Sequence, residues 1–136
     1  MKTLLIFLFI TTSSILSFQS FNIAFAADKP VQHLQLPDVT SLDEAKKVFL
    51  ETTSILEGKR KLDAKELNEI HMTTYSLEKA IAYFAENTNG DQQVEAEKMA
   101  EVVELIHLAS ETDRADEAGV YLEDYSKRAS AFIEKF

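Results

Sequence analysis

Two histidines, His71 in NEIHMTTYSLE and His107 in ELIHLASE, are the side chains best placed to do chemistry, because each sits among carboxylates at helical spacing. Each lies 18 residues from Asn89, so two antiparallel helices turning at Asn89-Gly90 set both imidazoles at one height. On the first of these helices His71, Tyr75 and Glu78 share a face; on the second Glu104, His107 and Glu111 do, since residues three and four apart are helical neighbours. Imidazole and carboxylate together suit zinc, nickel, copper or iron. Glu104-Leu-Ile-His107 is also the Glu-x-x-His step that presents both groups inward in helical bundles. A carboxylate-bridged di-iron site needs a second such step, and the position three before His71 is Asn68. The expectation is a mononuclear divalent transition-metal site of His71, His107 and one or two of Glu78, Glu104 and Glu111. The competing expectation is a structural polar network, in which Tyr75, Asn68 and Ser110 join these groups because buried polar atoms need hydrogen-bond partners.

Composition removes other chemistries. With no cysteine, thiolate catalysis, iron–sulfur clusters, cysteine-ligated zinc, covalent c-type haem, disulfides and a lipoprotein anchor are all excluded. No Gly-x-Ser-x-Gly turn or His-Glu-x-x-His step occurs, and Ser76 and Ser110 lack a base with its own orienting group. The chain is therefore read as binding rather than catalytic. It carries 14 basic and 23 acidic residues, and its one short basic run, Lys59-Arg60-Lys61, suits a solvated helix end. Nucleic acid, which demands a basic face, is excluded as a partner. Cations and basic proteins are attracted instead.

The elements that must position the histidines begin after an export signal. Met1-Lys2, the apolar run Leu4 to Ile10 and Ala24-Phe25-Ala26 predict a signal peptide over residues 1–26, cleaved after Ala26. Periplasmic location without stable membrane insertion follows. Residues 27–40 read as an extended leader, because Pro30 and Pro37 forbid a continuous helix, and His33 within it reads as an exposed loop residue. Residues 41–136 read as one all-α domain.

Ser41-Leu-Asp-Glu44 is a capping-box pattern, after which Leu42, Ala45, Phe49, Thr52 and Leu56 mark one helical face. A second helix starts at about Asp63 and carries Leu67, Ile70, Thr74, Leu77, Ile81 and Phe84. Asn87-Thr-Asn-Gly90 ends it with residues suited to a left-handed turn. Asp91 opens the third helix, striped by Ala96, Met99, Val103, Ile106 and Ser110. The polar stretch Thr112 to Gly119 reads as holding the last connection, and the fourth helix carries Ala118, Leu122, Tyr125, Ala129, Phe132 and Phe136. Four amphipathic helices with short connections predict an up-down-up-down four-helix bundle, monomeric or weakly homodimeric.

Two resemblances add to this reading. IHMTTYSLEKA, residues 70–80, and VELIHLASE, residues 103–111, resemble a family of small uncharacterised proteobacterial periplasmic helical-bundle proteins. That likeness implies export and a hairpin bearing His71, Tyr75, Glu78, Glu104, His107 and Glu111, and it brings no assigned activity. The signal, length and helical pattern are also similar to periplasmic four-helix b-type cytochromes, which implies haem. That family ligates iron through a methionine of the first helix and a histidine of the last, and neither is present here. A haem held by His71 and His107 has to fit between helices only about 8–10 Å apart, so a small ion suits the gap better. The rival to metal binding is a non-catalytic interaction or envelope-stress module that contacts a protein partner.

Overall fold

The computed structural model describes residues 36–136. The signal peptide expected over residues 1–26, and most of the leader with His33, lie outside the described residues. Four helices follow in order: α1 (Leu42–Glu57), α2 (Ala64–Asn87), α3 (Asp91–Glu111) and α4 (Ala115–Ile133). Among the described residues, none of them is long and apolar enough to cross a membrane.

The chain ends and starts each helix by local bonds. Ser41 Oγ accepts the Glu44 N–H at 3.2 Å, while the Glu44 carboxylate takes the Thr40 N–H at 2.8 Å, satisfying donors that the first turn leaves orphaned. Asp63 Oδ1 accepts the Glu66 N–H at 3.0 Å. Glu66 then gathers the backbone N–H groups of Arg60, Lys61 and Leu62 at 3.0, 2.7 and 2.9 Å, which folds the α1–α2 connection around one carboxylate. The residue at the α2–α3 turn with positive φ is Gly90, at 59°, a conformation that costs glycine little. It caps the start of α3, whereas α2 ends on an extended Thr88.

The last connection is shorter than the sequence suggests. It occupies Thr112 to Arg114, and α4 already begins at Ala115. Asp116 and Glu117 broke the apolar pattern on paper, yet in the first turn of a helix their charge faces the positive end of the dipole and favours helix.

Cross-helix contacts fix the topology. The Lys46 ammonium reaches the Phe136 carbonyl, setting the start of α1 against the end of the chain after α4. Lys79 pairs with Asp38 at 2.5 Å, and Gln92 donates to the Lys135 carbonyl. Each helix thus runs antiparallel to its sequence neighbour, and α4 closes back on α1. The expected stripes are buried: all six named residues of α2 and all five of α3 lie in the interior. On α1, Leu42 is exposed and Thr53 is buried instead, because the Thr53 and Tyr125 hydroxyls meet at 2.5 Å between α1 and α4. The interior toward the α2–α3 turn is aromatic, with Phe49, Phe84, Phe132 and Phe136 in mutual contact.

Candidate metal centre

α2 and α3 pack against one another along their lengths, and this brings the two histidines together as their symmetric spacing requires. The rings of His71 and His107 stand 4.7 Å apart, centroid to centroid, in an edge-to-face arrangement. Tyr75 packs on both, at 5.1 Å from His71 and 5.0 Å from His107. His107 is 4 % exposed and Tyr75 8 %, whereas His71 is half-buried, so the cluster runs from the interior toward the surface.

Polar contacts hold the rings in place. His71 Nε2 and the Tyr75 hydroxyl are 3.1 Å apart. His107 Nδ1 lies 3.0 Å from Thr74 Oγ1 and 2.8 Å from Glu78 Oε1. Thr74 Oγ1 is also 2.7 Å from the His71 carbonyl oxygen.

One potential ligand atom from each of His71, His107 and Glu111 lies within 4.8 Å of the other two. A tetrahedral ion with bonds of about 2.0–2.1 Å wants donors roughly 3.3–3.5 Å apart. Closing the set therefore takes side-chain movements of about an ångström, within the reach of χ rotations at a half-buried rim. Glu111 Oε1 is buried and makes no hydrogen bond among the described residues.

The other residues singled out in the sequence fall elsewhere. Glu78 borders His107 and stands outside the triad. Glu104, one turn before His107, is exposed on α3 and does not join the three. Asn68 is exposed on α2, and the Ser110 hydroxyl turns back to the His107 carbonyl at 2.9 Å, so Tyr75 is the member of the expected polar network that lies on the histidines. By its spacing Thr74 belongs to the apolar stripe of α2, and the sequence pattern does not mark it as a partner of His107. Its hydroxyl on a fully buried face, opposite a histidine, was the available signal.

No curated protein and no solved structure matches the chain. A family model does match it over residues 1–134, and the chain belongs to that family, DUF6746, a family of unknown function.

Proposed function

We propose that this is an exported, periplasmic protein that holds a divalent transition-metal ion on His71, His107 and Glu111 and catalyses no reaction. The observation that carries this reading is the convergence of three ligand atoms from two helices within 4.8 Å, one of them from a carboxylate whose buried Oε1 meets no donor among the described residues. Leaving a buried acceptor unsatisfied costs about 1–3 kcal/mol, and more when it is charged. Glu111 is moreover the last residue of α3, whose final turn holds no basic residue, so its charge adds to the negative end of the helix dipole. A bound cation offsets both penalties at once.

Two imidazoles and one carboxylate favour zinc, nickel or copper(II) over calcium and magnesium, which prefer all-oxygen sites. Three protein ligands leave a coordination position for water or an outside ligand. The formal charge of −9 favours cation approach over long range. The apolar run Leu4 to Ile10 and the Ala24-Phe25-Ala26 step support export.

A second reading draws on the ring contacts and the bonds at 3.0 and 3.1 Å, which tie the two histidines into a polar network; the protein then acts through a partner protein. One experiment separates the two. Untagged protein is stripped with chelator and titrated with Zn(II) by calorimetry and with Co(II) by visible absorption. The metal reading expects one equivalent bound, Co(II) bands of a four-coordinate site, and loss of both in H71A, H107A and E111Q with helical circular dichroism unchanged. Absence of stoichiometric uptake by the wild type overturns it in favour of the structural network.

A further inference from the structure

Two contacts at His107 Nδ1, from Thr74 and Glu78, decide whether that nitrogen carries a proton. Thr74 Oγ1 has one proton to give, and the His71 carbonyl oxygen 2.7 Å away is a pure acceptor, so the proton goes there. Toward His107 Nδ1, at 3.0 Å, the same hydroxyl then has only a lone pair left to offer. Glu78 Oε1, 2.8 Å from that nitrogen, presents negative charge to it. An unprotonated Nδ1 would set its own lone pair against both oxygens. Nδ1 therefore bears the hydrogen, and in the neutral ring the lone pair sits on Nε2.

From this we infer that Thr74 and Glu78 are positioning residues of the metal centre, locking His107 in the Nδ1–H tautomer and leaving Nε2 as the atom that meets the ion. The inference rests on the metal reading above. Thr74 does more than accept a hydrogen bond. Its hydroxyl ties the backbone of His71 to the ring of His107, so one side chain of α2 sets the relation between two ligands on different helices. Glu78 adds a carboxylate behind the imidazole, an arrangement that fixes the orientation of a metal-ligating histidine. Thr74 is fully buried, which keeps water from replacing its bonds.

The test uses the full mature chain with ¹⁵N-labelled histidine. In the metal-free wild type, long-range ¹⁵N–¹H correlations of His107 are expected to show the Nδ1–H tautomer. T74V removes the acceptor and is expected to shift the population toward Nε2–H and to lower Zn(II) affinity about 10–100-fold, the usual effect of losing an outer-shell partner. T74S, which restores the hydroxyl, is expected to recover both, and E78Q to lower affinity without removing the Thr74 bond. An Nε2–H tautomer in the wild type overturns the lock, as does a T74V protein that binds Zn(II) like the wild type. A wild type that takes up no Zn(II) overturns the metal reading itself, while the tautomer measured on the metal-free protein still judges the lock separately.

Discussion

Near the α2–α3 turn the interior is rich in phenylalanine rings; farther along the same two helices two imidazoles and a phenol cluster between the interior and the surface. Both clusters are held by close ring contacts, edge-to-face for Phe84–Phe132 and for His71–His107. Phe84 meets Phe136 at 4.4 Å and Phe132 at 5.5 Å, and His71 meets His107 at 4.7 Å. They differ in what burial does. The phenyl groups gain free energy by leaving water, whereas each imidazole must replace its lost hydration with hydrogen bonds. Burial at the phenylalanine end favours folding, whereas the histidine end holds polar groups at defined distances. Such a local departure from an apolar core is where function is to be sought.

The comparison is broken most forcefully by Phe84→Ala. Phe84 is fully buried and touches three other rings, so its loss is expected to cost about 3–5 kcal/mol in urea denaturation. His71 is 13 residues away on α2, roughly 20 Å along the axis. Metal stoichiometry of the folded fraction should therefore be unchanged, and its loss would show that the two ends are one unit. The converse variant, His71→Ala with His107→Ala, is expected to abolish the stabilisation that added Zn(II) gives the wild type, about 2.7 kcal/mol at a free concentration one hundred times the Kd. Melting curves with and without Zn(II) measure it. Equal metal-induced shifts in the two proteins would move the site off the histidines.

A smaller effect sharpens the comparison within the apolar part. Tyr125 lies fully buried between α1 and α4, its hydroxyl 2.5 Å from that of Thr53, and burial pushes its phenol well above the usual tyrosine range. Tyr125→Phe is expected to cost about 1 kcal/mol, the net worth of one buried hydrogen bond. The low end applies because Thr53 can turn its hydroxyl to a carbonyl of its own helix, as Thr52 does to Val48 at 2.7 Å. Thr53→Val should cost less in the Tyr125→Phe background than in the wild type, and a double mutant as destabilised as the sum of both singles would refute the coupling.

The two regions were unequally legible in the sequence. The apolar stripes of α2 and α3 could be read residue by residue, because burial repeats with the helical period and many residues vote for one phase. The height at which His71 meets His107 followed from chain symmetry about Asn89, which needs only an antiparallel hairpin. Ligand choice among the carboxylates did not follow. Glu104 and Glu111 flank His107 three and four residues away on one face, and a few tens of degrees around the helix separate an exposed side chain from one with a buried oxygen. The start of α4 was missed for a related reason: Asp116 and Glu117 lack apolar character, so periodicity is silent where dipole compensation makes the helix.

The smallest effect concerns two glutamates at helix ends. Glu66, in the first turn of α2, accepts the backbone N–H groups of Leu62, Lys61 and Arg60, and these bonds, that of Leu62 first, hold its carboxyl below the usual carboxylate range. Glu111, at the last residue of α3, has a buried oxygen that meets no donor among the described residues. A folded pKa below the unfolded value, about 4.3, means that Glu66 contributes its stabilisation above that pH and loses it as pH falls through the lowered folded value. Glu66→Gln keeps an acceptor and removes the charge. The melting temperature of the wild type should therefore exceed that of E66Q at neutral pH, with the gap closing progressively below about pH 4. A gap that stays constant to lower pH would mean that Glu66 acts through shape rather than charge. The contrast with Glu111 would then have to rest on the missing donor alone, not on the sign of the helix end each one occupies.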